Sequence, residues 1–178
     1  NISICSFTVT VNDVEDPTIF CVTDITINAT SGLCGAVVSC SPPIAFDNCS
    51  AVVTQTGGIT LGTFFPVGVH TVTFTATDPA GNTATCSFNI TVYDATPPQL
   101  TCLNDITTNA WPGLCAAEVL CGPPSVAPGC SPVTLVQTAG LPSGSMFPVG
   151  TTVQTWVATD QQGNTSTCSY NVIVIDNQ

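Results

Sequence analysis

Neither lysine nor arginine occurs in this chain of 178 residues, which has a single histidine and 11 acidic residues. Nucleic-acid binding is excluded, because basic side chains must replace the counterions condensed on the phosphates. Attraction to an anionic membrane surface is excluded for the same reason, and isopeptide cross-links have no lysine from which to form. Drift of the surface under selection for protease resistance or solubility is the simplest explanation of the missing residues.

Long apolar runs are also missing from the sequence. No stretch approaches the roughly 18 consecutive apolar residues that a membrane-spanning helix needs. The sequence also does not open with a basic segment followed by an apolar one, as a secretory leader does. We therefore expect no direct membrane insertion, and we expect any export signal to lie outside these residues.

Cysteine, by contrast, is abundant, and its positions repeat. The chain has 11 cysteines, which indicates an oxidising compartment. Five of them recur 81 residues later in the chain, and Cys86 recurs once more at Cys168. A fixed period of this length indicates a tandem repeat. The sequence predicts one module over residues 14–94 and a second over 95–178, preceded by a segment over 1–13.

Each repeat has the pattern of a small all-β domain. In "TVTFTAT" (71–77) and "CSFNITV" (86–92), apolar residues alternate with threonine, serine and asparagine, as in half-buried strands. "DPAGN" (78–82) between them has the composition of a tight turn. Several short strands in about 80 residues, separated by Gly/Pro turns, favour a β-sandwich. The fold class expected is all-β, with two tandem β-sandwich domains preceded by one extra β-strand.

The extra strand is "CSFTVTV" (5–11), which matches the strand that closes each repeat. The sequence contains three closing strands but only two modules. Each module already has its own closing strand, so the strand at 5–11 has no module in this sequence. We expect residues 1–13 to complete a preceding module of the same polypeptide. The alternative is that residues 1–12 pair with a neighbouring copy, as in donor-strand assembly. The expected partners are therefore neighbouring copies or modules of the same protein.

These same elements resemble the hyalin repeat, or HYR, domain. "FPVG", "ATDxxGN" and "CSF" occur in order in both copies, with "PPIAFDNCS" upstream in the first. The resemblance implies an immunoglobulin-like sandwich, an extracellular adhesive or matrix role, and no catalytic residues. It also implies disulfides between Cys21 and Cys86 and between Cys102 and Cys168. The second copy departs from the pattern, because Pro128 and Gly129 replace Asp47 and Asn48.

The remaining cysteines are harder to assign, since sequence does not determine connectivity. The next pairs that we expect are Cys34 with Cys49 and Cys115 with Cys130. Cys5, Cys40 and Cys121 then stay unmatched, either as free thiols that act as small apolar side chains or as partners in other bridges.

No cofactor is expected, and evidence for a metal is weak, because the chain has one histidine and no C-x-x-C pair. Calcium at the module junctions is the one alternative, since hard cations bind carboxylate oxygens. Its weak candidates are Asp13, Glu15, Asp16 and Asp94. Solvated acidic junctions are the simpler interpretation.

Glycans are a further expectation, because the sequence has five N-glycosylation sequons. They lie at Asn1, Asn28, Asn48, Asn89 and Asn164. Whether they are used depends on the host. Outward rows of threonine are candidates for O-glycans, although threonine also simply suits exposed strands.

Catalysis is not expected. His70 is the one histidine, and Thr152 replaces it in the second repeat, so no serine has a repeated base beside it. We expect His70 to be an exposed strand residue.

The function that these patterns favour is structural. The chain is expected to be part of an extracellular, secreted or cell-surface appendage whose disulfide-stapled modules form an adhesive stalk or filament. A fibril subunit linked through its N-terminal strand is one form of this. The alternatives are an adhesin that binds carbohydrate or protein, with Phe46 and Trp111 as candidate contacts, and an accessory domain of a larger secreted enzyme.

Overall fold

A computed structural model describes residues 2–177, and these residues form 16 strands and no helix. The chain divides into two compact units. The first contains the chain up to Thr30 and Gly35–Tyr93, and the second contains Ser31–Cys34 and the chain from Asp94 onwards. Among the described residues, no helix is long and apolar enough to cross a membrane. The all-β prediction with two tandem domains is confirmed.

The first unit has eight strands. They are β1 (Thr18–Phe20), β2 (Ile25–Asn28), β3 (Gly35–Val37), β4 (Ile44–Phe46), β5 (Val52–Gly57), β6 (Phe64–Pro66), β7 (Gly68–Thr77) and β8 (Thr83–Tyr93). A four-stranded sheet has the order β2-β8-β7-β5, and two short pairs, β1-β4 and β3-β6, form the rest. Strand β2 runs parallel to β8, and the other pairs are antiparallel.

The core of the first unit lies between the four-stranded sheet and the β3-β6 pair. Val72 and Phe74 of β7 and Phe88 and Ile90 of β8 pack against Phe65 of β6. Alternation explains this arrangement, because successive strand residues point to opposite faces of the sheet. Threonines between these core residues therefore line the outer face, where pairs such as Thr73 and Ser87 share a hydrogen bond of 2.9 Å.

The second unit repeats this architecture. Its strands are β9 (Leu100–Thr101), β10 (Ile106–Asn109), β11 (Ala116–Val119), β12 (Ser125–Val126), β13 (Val133–Ala139), β14 (Ser145–Pro148), β15 (Gly150–Asp160) and β16 (Thr165–Ile175). The large sheet has the order β10-β16-β15-β13, again with a parallel first pair, and β12-β9 and β11-β14 are the short pairs. Phe147, Tyr170, Val172 and Val174 are among its fully packed core residues.

The N-terminal segment differs from its prediction. Residues 2–16 form no strand, although "CSFTVTV" repeats the sequence of β8 and β16. Its apolar side chains are exposed: Phe7 by 85%, Val9 by 71% and Val11 by 90%. The physical reason is that a strand needs a hydrogen-bonding neighbour, and in each unit the position beside β7 or β15 is already occupied by β8 or β16.

Candidate functional site

The site begins with an aspartate turn that is present in both units. Asp78 Oδ1 accepts hydrogen bonds from the backbone N–H groups of Gly81 (2.6 Å) and Asn82 (2.8 Å), and its Oδ2 accepts one from Asn82 Nδ2 (2.7 Å). Gly81 has a φ of 96°, which an L side chain rarely adopts. Asn82 Nδ2 also donates to the carbonyl oxygen of Asp13 at 3.4 Å. The turn therefore holds the entry of the unit beside the start of β8.

Asp13, placed in this way, meets a second loop of the same unit. Its carboxylate, that of Asp47 and the thiol of Cys49 offer three metal-ligand atoms that all lie within 4.8 Å of one another. Asp47 Oδ2 accepts the backbone N–H of Cys49 at 2.8 Å, and Asp13 Oδ1 accepts that of Glu15 at 3.1 Å. We call these three residues the Asp13–Asp47–Cys49 cluster.

The cluster is electrostatically uncompensated. Asp13 Oδ2 and Asp47 Oδ1 are buried oxygen atoms that accept no hydrogen bond from a nitrogen or oxygen donor among the described residues. A hydrogen bond to Asp13 raises the pKa of the Cys49 thiol, and burial and the negative charges of Asp13, Asp47 and Asp78 raise it further. The arrangement therefore concentrates negative charge without a protein cation.

The second unit keeps the turn but not the cluster. Asp160 Oδ1 accepts from the backbone N–H groups of Gln162 and Asn164, and Asn164 Nδ2 donates to Asp160 Oδ2 (2.8 Å) and to the carbonyl oxygen of Asp94 (2.9 Å). Pro128 occupies the position that corresponds to Asp47. A carboxylate pair like that of the first unit is therefore missing at this position.

Most of the predicted calcium candidates do not converge. Glu15 and Asp16 are exposed, and Glu15 Oε2 accepts Asn48 Nδ2 at 3.1 Å. Asp94 is buried, and its Oδ1 accepts the backbone N–H of Thr96 at 3.0 Å. Only Asp13 of the four joins the cluster. Sequence reasoning missed Asp47 as its partner, although the replacement of Asp47 by Pro128 is one of the places where the repeats differ in carboxylates.

Two disulfides join the ends of the units. Cys21 is bonded to Cys86 of β8, and Cys102 is bonded to Cys168 of β16, each pair with a Cα–Cα distance of 5.7 Å. Both lie next to the parallel strand pairs β2-β8 and β10-β16.

The other disulfide differs from the predicted pairs. Cys34 is bonded to Cys130, while Cys49 and Cys115 are exposed free thiols. The reason is that Ser31–Cys34 groups with the second unit, so both ends of this bond lie in that unit, whereas Cys49 belongs to the cluster of the first. Repeat spacing alone does not reveal this grouping.

The cysteines predicted to be unmatched occupy three different environments. Cys5 is an exposed thiol in the N-terminal segment. Cys40 and Cys121 are half-buried and pack against the two cores. Burial raises the pKa of the Cys40 thiol, which keeps that group protonated and apolar.

The sequons differ in how their amides are used. Asn1 lies outside the described residues. Asn28, on β2, and Asn48, in a turn, are exposed. Asn89 is half-buried, with Thr71 Oγ1 donating to its Oδ1 at 2.9 Å, and both amide hydrogens of Asn164 are engaged in the turn described above.

Exposed aromatic residues occur on the first unit. Phe20 and Phe46 are 60% and 65% exposed and meet edge to face, with ring centroids 6.0 Å apart. The corresponding residues of the second unit are Thr101 and Ala127. Trp111 is 46% exposed in the second unit.

His70 lies on strand β7 as predicted, but its predicted exposure was wrong. The side chain is half-buried rather than exposed, its Nε2 lies 2.8 Å from the carbonyl oxygen of Pro66, and its ring contacts that of Phe65. The aromatic neighbour and the carbonyl hold it against the end of the core.

Comparison with known proteins agrees with the repeat. The HYR domain model matches residues 12–92 and 93–174. The chain is 34% identical to hyalin of Strongylocentrotus purpuratus and 37% identical to hyalin of Lytechinus variegatus, over 96% and 99% of its length. It spans only 15% and 34% of those relatives. It is also 26% identical to the serine-rich adhesin for platelets of Staphylococcus aureus, over 96% of this chain and 7% of that protein.

Solved structures with a similar chain path include cadherin-type domains. Extracellular cadherin domains 3–6 of protocadherin gamma B2 align with a TM-score of 0.45 at 11% identity, covering 91% of this chain and 52% of that one. Domains EC1-4 of Drosophila N-cadherin align with a TM-score of 0.42 at 11% identity, covering 90% and 49%. Similarity at this level does not indicate a function.

Proposed function

The chain belongs to the HYR-domain family, and we propose that it works outside the cell as two structural and adhesive repeat modules. The observation that carries the proposal is that both HYR matches fall on compact β-sandwich units with the same strand order. The relatives include hyalins and a bacterial adhesin. A repeat that uses the same strand order twice supports a role in spacing and display.

The sheet geometry supports a tensile role for each module. Strand β2 lies near the start of the first unit and pairs in parallel with β8, which ends it. Once the Cys21–Cys86 disulfide is reduced, force applied at the two ends would load all the hydrogen bonds of this pair together, in shear. The Cys21–Cys86 disulfide lies beside the same pair, and β10, β16 and Cys102–Cys168 repeat the arrangement in the second unit.

We propose further that residues 2–12 link the chain to another module or another copy. The segment exposes alternating apolar side chains, including Ile4 at 90% and Phe7 at 85%. Such a strand buries its apolar face by adding to a sheet elsewhere. Electron microscopy and sedimentation of the purified chain test this: filaments or oligomers are expected, and their loss is expected in the variant Phe7→Asp. The matched control is Thr8→Asp on the opposite face of the segment.

Assembly that is unaffected by Phe7→Asp, or equally reduced by Thr8→Asp, would contradict the strand model. Monomers that carry the free segment at every concentration would contradict linkage between copies, and linkage to a module of a longer chain would then be tested by adding that module.

A second candidate function is ligand binding by the Phe20–Phe46 pair. Exposed aromatic rings are common contacts for sugars and proteins, and this pair occurs in one repeat only. A glycan array probed with the chain is expected to lose its signal in the variant Phe46→Ala. Val136→Ala, at an exposed residue of the second unit, is the control, and equal binding by all three proteins would contradict the candidate.

Glycans on the display surface belong to the same proposal. Asn28 and Asn48 present exposed amides, whereas a glycan on Asn164 would remove a hydrogen bond from its turn. In a secreting eukaryotic host, glycopeptide mass spectrometry is expected to find Asn28 occupied and Asn164 unoccupied. The reverse occupancy would show that the turn does not form as described.

A further inference from the structure

The Cys34–Cys130 disulfide fixes a loop that the first repeat supplies to the second unit. By sequence, Ser31–Cys34 belongs to the first repeat, where it connects β2 to β3. By its contacts, it belongs to the second unit, and there Cys34 is bonded to Cys130. The second unit therefore contains a loop from the preceding repeat, and we call Ser31–Cys34 the donated loop.

The second repeat has its own version of the donated loop, at Pro112–Cys115. A backbone hydrogen bond of 2.9 Å closes each of the two loops: the N–H of Thr30 donates to Gly35, and that of Trp111 donates to Ala116. The glycine in the turn has nearly the same φ in both, 76° at Gly32 and 77° at Gly113. Cys115 itself is an exposed free thiol. The second loop therefore already has the conformation in which the first loop makes its bond.

The first unit has the matching acceptor cysteine. Cys49 lies 81 residues before Cys130 in the sequence. Cys49 is an exposed free thiol, whereas Cys130 is half-buried and bonded to Cys34. The counterparts of Cys115 and Cys49 are thus bonded to each other in this same structure. The repeat therefore supplies a bonded example of the pair that these two free thiols would make.

We propose that Cys115 of one copy of the chain forms a disulfide with Cys49 of a second copy, which repeats the Cys34–Cys130 bond between molecules. The partner is a second copy because the chain carries both halves of the pair, a donor loop and an acceptor cysteine. Each copy donates once and accepts once, so the contact is heterologous and extends into a chain of copies unless its rotation closes a ring. The link is independent of residues 2–12, because neither thiol lies in that segment.

Forming the bond needs an oxidant, and a small-molecule disulfide of the glutathione class supplies it. The Cys115 thiolate attacks this disulfide, which forms a mixed disulfide and releases one small thiol. The Cys49 thiolate of the second copy then attacks Cys115 Sγ and displaces the second small thiol. Two protein thiols are oxidised, one small disulfide is reduced, and the two protons lost by the cysteines end on the released thiols.

The surroundings of Cys49 slow the second step at neutral pH. A hydrogen bond from the thiol to Asp13 raises the pKa of Cys49, and desolvation and the negative charges of Asp13, Asp47 and Asp78 raise it further. Only the thiolate attacks a disulfide, so a raised pKa leaves fewer reactive molecules. Cross-linking should therefore become faster as the pH rises above neutral, and it should be faster in Asp13→Asn than in the wild type.

Non-reducing gel electrophoresis tests the link. The purified chain, with its structural disulfides intact, is treated with oxidised glutathione at physiological salt, which screens the net charge of −11 on each copy. Disulfide-linked multimers are expected, and they should return to monomer on reduction. Cys115→Ser and Cys49→Ser should each reduce the multimers at least tenfold. The matched control is Cys5→Ser, which removes another exposed free thiol and should leave the multimers unchanged.

Mixing the two variants distinguishes a specific pair from random oxidation. Cys115→Ser keeps the acceptor Cys49, and Cys49→Ser keeps the donor Cys115, so an equal mixture should give dimers and nothing longer. With the Cys115→Ser variant labelled with ¹⁵N, digestion at acidic residues and mass spectrometry should find labelled Cys49 bonded to unlabelled Cys115. Circular dichroism of each variant checks that it is folded.

Several results would overturn the proposal. One is a chain that stays monomeric at every concentration of oxidised glutathione. Another is a multimer that persists in either single variant, since it would arise from a different pair of thiols. A bond between Cys49 and Cys115 of the same copy, found as a peptide pair with one label only, would also contradict a link between copies.

Discussion

Single residues distinguish the two units most clearly in their cores. Gln154 of β15 is completely buried, and its Nε2 has no hydrogen-bond partner among the described residues. The corresponding residue in β7 is Val72, which is equally buried and apolar. Gln154 Oε1 accepts a hydrogen bond from Gln137 Nε2, which also donates to two backbone carbonyls. The second unit therefore carries a polar defect that the first unit lacks.

Replacing Gln154 by valine should stabilise the second unit. The side chains are similar in volume, and the change removes a buried unsatisfied donor, which costs about 1–3 kcal/mol. We expect the free energy of unfolding to rise by about 1–2 kcal/mol. Both tryptophans, Trp111 and Trp156, lie in the second unit, so urea unfolding followed by tryptophan fluorescence reports on that unit alone. Gln154→Ala is the control that leaves a cavity, and a lower urea midpoint for the valine variant would refute the argument.

The turn aspartates should make the stability of the fold decrease at acidic pH. Burial raises the pKa of Asp160, but hydrogen bonds from Asn164, Gln162 and Gly163 outweigh it and hold the pKa below its usual 3.8. The folded pKa lies below the unfolded one, so the carboxylate stabilises the fold above about pH 3.8, and this stability is lost as the pH falls through the folded pKa. The urea midpoint of tryptophan fluorescence should therefore fall in this range.

A variant tests which group is responsible. Asp160→Asn is expected to flatten the acid dependence in part, and the rest should come from Asp105, whose pKa is lowered by its hydrogen bonds to Asn171. A variant with an unchanged slope would show that the turn carboxylate does not drive the pH effect.

At the scale of strands, the alternation of apolar and polar residues in the sequence correctly predicted which residues of β7 and β8 face the core. Val72, Phe74, Phe88 and Ile90 are buried as the pattern of β7 and β8 requires. The parallel pairing of β2 with β8 was not predictable, because parallel strands are joined by a distant connection that leaves no local signal. The N-terminal segment shows that alternation can also predict a strand that is not formed. Its sequence alternates as a strand does, but it has no neighbouring strand to pair with.

The disulfide beside each parallel strand pair should contribute a large part of the unfolding free energy of its module. Cys102 and Cys168 are 66 residues apart, and closing a loop of that size reduces the entropy of the unfolded chain. The double variant with serine at both positions should lose about 2–4 kcal/mol of unfolding free energy, measured by tryptophan fluorescence in urea. The matched double variant at Cys21 and Cys86 should leave this signal nearly unchanged, and equal losses in both variants would contradict independent modules.

At the scale of the whole molecule, the period of 81 residues predicted two domains, strand alternation predicted that they are all-β, and the FPVG, ATDxxGN and CSF elements indicated their family. It did not predict the Asp13–Asp47–Cys49 cluster, because its members are separated by 34 residues in sequence at the widest gap and meet only after the turn at Asp78 positions Asp13. Residues that break the repeat, such as Asp47 opposite Pro128, were the available signal. The repeated residues therefore predicted the fold, and the positions where the two repeats differ indicated the candidate site.

The central claim is that the chain is a tandem of tension-resistant modules, each closed by a bond between its ends. Single-molecule force spectroscopy, with the chain pulled from its two termini, tests it directly. With disulfides intact, 65 and 66 residues are shielded from force, so no long unfolding step is expected. With reductant, two unfolding steps should appear. Each should extend the chain by about 220 Å, because each opened loop releases its residues at roughly 3.4 Å apiece. Steps of equal length with and without reductant would contradict the account.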